Sequence, residues 1–254
     1  MTDPPSGSSF DAQVIAAFGR HVQVRDTGGA LHAARPAGRK LALVCGDFVR
    51  CEHDPQHSQV HAVARLPRRT ALYRSSARGG SEAVAANLTL LVVVIALRPP
   101  PDWFVVDRYL AAAASAGIAA LLVLNKCELE RDAAADAALH AEFAAYAAAG
   151  YPCLACSARA GRGIETLLAR LAGETAVLVG QSGVGKSSLV KRLVPDAIAA
   201  IGELVREEEG RHTTTASRLY DLPIVAGARA TTPGHLIDSP GVRDFAPAID
   251  RLEL

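Results

Sequence analysis

The eight residues GQSGVGKS, Gly180 to Ser187, follow the apolar run AVLVG and lead into SLVKRL. A loop of the form GxxxxGKS between a strand and a helix brings backbone amides close to a ligand without interfering Cβ atoms, at the positive end of a helix dipole. Phosphate needs these amides, a cation for its outer oxygens and a hydroxyl for magnesium, and Lys186 and Ser187 supply the last two. The segment therefore predicts a phosphate cradle made of Gly180, Ser182, Gly183, Val184, Gly185, Lys186, Ser187 and Ser188. It also predicts an α/β layered domain, because such a loop joins a strand of a mostly parallel sheet to a covering helix.

The surrounding pattern agrees. LTLLVVVIA, ALLVLN, PCLACS, AVLVG, SRLYDL and HLIDS read as strands, separated by helical stretches near 103–116, 133–149, 163–172 and 186–194. Upstream, from about Phe10 to Tyr73, shorter strands such as HVQVRD, LVCGDFVRCE and QVHAVARL alternate with Gly, Pro and Asp turns, which suits a five-stranded barrel of the OB type. The Gly- and Ser-rich stretch SSARGGSE marks the join. The expected organisation is a disordered tail over 1–9, a barrel over 10–78 and an α/β domain over 79–254.

Half of the 254 residues are hydrophobic and 21% are charged, enough apolar surface to offset the entropy of ordering. The opening MTDPPSGSSF lacks a basic start followed by an apolar run, so it does not read as a secretion signal. Leu88 to Leu97 is too short to span a bilayer, and no membrane association is expected. Five cysteines, an odd number, fit a reducing cytoplasm. Cys153 and Cys156 form a CxxC, but it lies in an apolar run and has no second pair at zinc-binding spacing, so it reads as strand cysteines. Residues 11–78 hold 11 Lys and Arg against 5 Asp and Glu, leaving the rest of the chain net acidic; this favours an anionic partner, RNA above all, for the first segment. The acidic run Glu207 to Glu209 reads as a solvated loop.

A phosphate cradle alone does not choose a base. Asn125 and Lys126 end the run ALLVLN and, with Glu128, resemble the NKxD guanine motif of Ras-like GTPases, here NKCE. In that motif the carboxylate accepts from guanine N1 and N2, and a glutamate can still make the contact from a different position. Ser157 and Ala158, in CSA, resemble the loop whose amide meets the guanine carbonyl. Downstream, DSPG resembles the DxPG element, with Asp238 toward a magnesium-bound water and Gly241 toward the γ-phosphate. Between them GRHTTT offers a hydroxyl switch, Thr214 first and Thr215 second.

These motifs run NKCE, CSA, GQSGVGKS, TTT, DSPG, a rotation of the Ras-like order. A parallel sheet tolerates the rotation, since the same strand ends meet whichever connection is cut. With GDFV at 46–49, LPRRTALYR at 66–74, GRHTTTASRLY at 210–220 and IDSPGVRDF at 237–245, the chain resembles the small ribosomal subunit-dependent, circularly permuted GTPases known as RsgA or YjeQ. The resemblance implies a P-loop NTPase domain of circularly permuted Ras-like topology behind a small OB-like β-barrel. It further implies a cytoplasmic, monomeric factor that binds GTP and GDP with magnesium, held by Ser187, Thr214 and Asp238, and meets the 30S subunit and its rRNA late in maturation. Val242 stands where many GTPases place a glutamine, so His212 is expected to orient the attacking water, with Lys186 on the phosphates. The family's C-terminal zinc domain has no counterpart before Leu254, and zinc is not expected in this chain. Two other readings stand beside this one: a nucleotide-gated RNA-binding module with little or no hydrolysis, and an ATP-using P-loop protein.

Overall fold

The computed structural model describes residues 9–18, 21–38, 41–54, 59–75, 80–129, 133–195, 217–228 and 230–239. The first five strands are β1 (Ser9–Phe18), β2 (His21–Asp26), β3 (Leu31–Pro36), β4 (Phe48–Asp54) and β5 (Gln59–Arg65). Alternation puts Ala12, Val14, Val22, Val24, Val49, Cys51, Val60 and Ala62 on one buried face. Long β1 pairs with β4 through its first half and with β2 through its second, with a register shift between Val14 and Ala16 where the strand bends. A parallel β3–β5 pair completes the closure, giving the OB-like barrel. Beyond it β6 (Ala71–Ser75) and β7 (Ser81–Ala86) form a separate two-stranded sheet.

The α/β region contains β8 (Leu90–Ala96), α1 (Trp103–Ser115), β9 (Ala119–Asn125), a 3-10 turn (Cys127–Leu129), α2 (Ala133–Ala148), β10 (Cys153–Ala155) and α3 (Ile164–Leu171). It continues with β11 (Thr175–Val179), α4 (Lys186–Leu193), β12 (Ser217–Asp221) and β13 (His235–Asp238). Strands lie in the order β10-β9-β8-β11-β13, all parallel, with β12 antiparallel beside β13. Every residue of β8 is buried, because helices cover both faces of the sheet. Leu91, Val93 and Ile95 meet Val106, Tyr109 and Leu110 of α1, while Leu90, Val92 and Val94 meet Leu167, Leu171, Leu189 and Leu193 of α3 and α4. Asp102 caps α1, its carboxylate accepting from the Phe104 and Val105 amides. Among the described residues no helix is long and apolar enough to cross a membrane.

The barrel and the α/β sheet are one hydrogen-bonded array. β12 pairs with β13 along one edge and with β1 along the other, where Ser217 faces Ala17 and Arg218 faces Ala16. Side chains reinforce the seam: the Arg218 guanidinium lies over the Phe18 ring at 5.3 Å, and Arg25 of β2 donates to Asp221 at 2.6 Å. Asp221 also meets His235 Nδ1 at 2.7 Å. Burial raises the Asp221 carboxyl, but the hydrogen bond and charge of Arg25, with His235, outweigh it and hold the group below its ordinary value. A carboxylate whose folded pKa is lowered stabilises the fold above its unfolded value, and the benefit is lost as pH falls through the folded one. Asp221→Asn is therefore expected to flatten the fall in melting temperature below about pH 4, where the unfolded aspartate protonates. Thermal melts across that range check it, and an unchanged acid limb would show the seam pair to be inert.

Candidate functional site

Register places the strand ends side by side: Ala96 opposite Asn125, Val93 opposite Val179, and Val177 opposite Ile237. Loops leaving β8, β9, β10, β11 and β13 thus gather at one edge of the sheet, the crevice where open α/β sheets take their ligands.

Gly180 follows β11 at φ 139°, and a Cβ there would sit 2.1 Å from the Val94 carbonyl oxygen, so no other residue fits against β8 at this point. The loop closes at Gly185, φ 96°, which is the N-cap of α4 and carries no side chain to cap the first-turn amides. A Cβ at Gly185 would lie 2.4 Å from Asn125 Nδ2. That helix end, with its partial positive charge, is open to an anion. Lys186 is buried, and its ammonium donates to the carbonyls of Gly180 at 2.6 Å and Gln181 at 2.8 Å. Ser187 and Ser188 are exposed in the first turn of α4.

Asn125, only 1% exposed, ties three loops together. Its Nδ2 donates to the Val184 carbonyl at 2.9 Å, and its Oδ1 accepts from the Ala158 amide at 3.1 Å. Lys126 follows with a left-handed backbone, φ 63°, uncommon for a residue with a side chain. Its ammonium bridges the Arg98 carbonyl at 2.9 Å and the Gly183 carbonyl, which fixes the turn and props the phosphate loop from outside. The Cys127 amide donates to the Cys156 carbonyl at 3.2 Å, joining the loops after β9 and β10. Ser157 is fully buried; its hydroxyl oxygen accepts from the Ala160 amide at 2.9 Å. Burial acts to raise the Glu128 carboxyl, but the Ser157 hydrogen bond, its own amide and the charges of Arg159 and Arg162 bring it below the usual value, so it is ionised at neutral pH.

On the other flank, Asp238 ends β13 one residue beyond the Val177–Ile237 pair, close to the start of the phosphate loop. Next to it the buried Ser239 hydroxyl meets the Ser217 hydroxyl at 2.7 Å, linking the ends of β13 and β12. Asn125, Lys126, Glu128, Ser157, Ala158, the residues of the 180–188 loop and Asp238 thus belong to loops and strand ends at this one edge. His212, Thr214, Thr215 and Gly241 lie outside the described residues, as do Val242 and Glu207 to Glu209. Two participants escaped the sequence reading. Gln181 accepts from the Asp102 amide at 2.9 Å, and the Arg98 carbonyl holds Lys126, so the RPPPD segment after β8 is a wall of the site. In sequence, its three prolines mark only the place where an apolar strand stops. Cys153 and Cys156 are free thiols raised by burial, Cys156 to about 12, as suits strand cysteines.

Strand order and loops together define a P-loop nucleotide-site domain with a rotated strand sequence, attached to an OB-like barrel. A sequence model of the family described as RsgA GTPase matches residues 65–247. The small ribosomal subunit biogenesis GTPase RsgA of Pseudomonas savastanoi is 44% identical over 91% of this chain and 66% of its own length. That of Azotobacter vinelandii is 43% identical over 94% of this chain and 68% of its own. Among solved structures, YjeQ from Thermotoga maritima superposes with a TM-score of 0.68 at 23% identity, over 93% of this chain and 76% of that one. YloQ, described as a circularly permuted GTPase, gives a TM-score of 0.63 at 18% identity over 92% and 71%. The chain belongs to the RsgA GTPase family. It spans 66% of the length of the Pseudomonas relative, just under two thirds.

Proposed function

We propose that this chain binds GTP and hydrolyses it as a factor in late maturation of the 30S ribosomal subunit, with the barrel, residues 10–78, against rRNA and residues 79–254 carrying the nucleotide. The observation that carries the reading is the Asn125 side chain, buried and bonded at once to the phosphate loop and the Ala158 loop, which couples base-reading and phosphate-holding segments into one body. The names of the relatives, small ribosomal subunit biogenesis GTPases, support the activity and the partner. A basic balance over 11–78 favours contact with RNA phosphates. The chain is taken to act as a cytoplasmic monomer.

In this reading the triphosphate lies along the 180–187 loop, its outer oxygens receiving the Lys186 ammonium in place of the Gly180 and Gln181 carbonyls. Charge-assisted bonds of this kind strengthen as negative charge develops on the transferring phosphoryl group. Water attacks the γ-phosphorus, the bond to the β-bridging oxygen breaks, and GDP and phosphate leave. His212 orients that water. The donor set at this edge is hard oxygen, the Ser187 hydroxyl and the Asp238 carboxylate, and it suits magnesium; Thr214 would complete it. Bound there, magnesium neutralises charge on the β- and γ-phosphates.

The test is a competition between GTP and ATP, joined to turnover measured with and without 30S subunits and repeated with His212→Ala. GTP is expected to bind at least about 100-fold tighter, as polar base readers discriminate, and subunits to raise turnover in the parent and not in the variant. Binding without subunit-stimulated turnover would instead establish the nucleotide-gated module.

A further inference from the structure

Asp136 sits in the first turn of α2, a helix built mostly of alanine, and is only 1% exposed. A carboxylate there favours the helix dipole at little cost while water covers it; buried, it is costly unless well paired. Neither of its oxygens accepts a hydrogen bond among the described residues. Its partner is the Arg98 guanidinium, Nη1 lying 3.0 Å from Oδ1, close enough for an ion pair but not aligned as a hydrogen bond. The Arg98 side chain is 54% exposed, so the acid is stripped of water to hold a cation that water would accept. As a stabilising contact the pair is a poor exchange. Its worth lies in what Arg98 does next. The same Nη1 donates to the Leu97 carbonyl at 2.6 Å, so the side chain is folded onto its own backbone, and holding the guanidinium holds that peptide. The Arg98 carbonyl then accepts from Lys126 Nζ at 2.9 Å, and the same ammonium donates to the Gly183 carbonyl inside the phosphate loop.

Resting on the nucleotide-site reading above, we propose that Asp136 is a positioning residue for the phosphate loop, acting through Arg98 and Lys126. The acid fixes the guanidinium, the guanidinium fixes the backbone after β8, and the Arg98 carbonyl gives Lys126 the second of its two acceptors. Without the acid, Arg98 turns to solvent and its carbonyl loses a fixed aim. Gly183, in a left-handed conformation at φ 82°, then keeps a prop anchored at one end only. A loop that has to order itself when the nucleotide arrives gives up affinity to that ordering.

Binding of a fluorescent GDP analogue to the intact chain tests this in the parent, Asp136→Ala, Lys126→Ala and the double variant. Asp136→Ala removes a desolvated charge, puts in the strongest helix former and leaves behind an arginine that solvent can reach, so the melting temperature should hold or rise. Affinity should fall all the same, by about tenfold, the scale of one lost hydrogen bond to a charged group. In the Lys126→Ala background the same substitution should cost less than about twofold, because the ammonium it steadies is gone. No loss in the parent background, an equal loss in both, or a loss that tracks a falling melting temperature overturns the proposal. ADP displacing the analogue as well as GDP does would overturn guanine recognition instead; Asp136 is assigned to the phosphate loop, so the comparison of backgrounds still decides its role.

Discussion

Lys186→Ala is expected to lower GTP turnover by roughly 10²- to 10³-fold, the size of effect seen when one preorganised donor to a transition-state oxyanion is removed. The reason lies in the geometry of the phosphate loop. The ammonium already sits inside the loop, bonded to the carbonyls of Gly180 and Gln181, so little reorganisation separates it from the oxygens it would serve. Its removal strips the loop of its cation while the helix end and the backbone amides stay. Diphosphate affinity should fall less than triphosphate affinity, because the lost charge is the one aimed at the outer phosphates. Lys186→Arg is not expected to rescue: a planar guanidinium cannot take the place of a compact ammonium folded against two carbonyls. Single-turnover hydrolysis with binding of both nucleotides gives the comparison, and a loss of less than tenfold would remove Lys186 from the chemistry. A modest fall in melting temperature should accompany the loss, since the Gly180 and Gln181 carbonyls lose the ammonium bonded to them while the close approach of Gly180 to the Val94 carbonyl stays.

Much of the architecture was written in local patterns. Fully apolar runs such as Leu90–Ala96 can only be strands covered on both faces, and the four helices begin and end within about two residues of their expected limits, the precision that end assignments allow. The phosphate loop was legible because its glycines answer steric demands, as Gly180 against Val94 shows. Three features were not. β3, whose sequence LHAARP mixes small and basic residues, carries weak strand propensity and is made a strand by its neighbours β2 and β5. The seam between β1 and β12 joins segments some two hundred residues apart, and no periodicity encodes such a pairing. The wall built from Arg98, Asp102 and Gln181 works through backbone groups and one amide side chain, which leave no residue-type signature. That seam matters for function: β12 begins just after the threonine segment, with Arg218 facing Asp238 of β13, and bonds directly to the barrel. A displacement of either strand end has a short hydrogen-bonded route to the module proposed to meet rRNA.

Arg68→Ala is expected to cost roughly 3–5 kcal/mol of folding stability, the range for stranding one member of a buried ion pair. Asp47 is wholly buried, and its two carboxylate oxygens accept from Arg68 Nε at 2.6 Å and Nη2 at 2.8 Å, a bidentate fork. One further donor, the Val44 amide at 2.9 Å, is too little to satisfy a naked carboxylate in that place. Nothing about LPRRT singles out its first arginine from the second; the difference is that Arg68 reaches the acid buried before β4 while the Arg69 amide bonds to Asn87. Hydrogen bonding to Asp47, offset in part by burial, raises the Arg68 guanidinium above its already high value, so Arg68 stays charged throughout the working range of pH. Position makes the pair a clasp between units, because Asp47 precedes the barrel strand β4 and Arg68 precedes the hairpin strand β6. Denaturant melts of Arg68→Ala, Asp47→Ala and the double variant decide the matter: the double variant should be less destabilised than the two singles summed, since no charge is then left alone. Nucleotide affinity should survive in whatever fraction remains folded, the clasp lying on no loop of the phosphate site. Additive losses would mean that Arg68 and Asp47 act separately, and a cost below about 1 kcal/mol would put this pair among ordinary surface bridges.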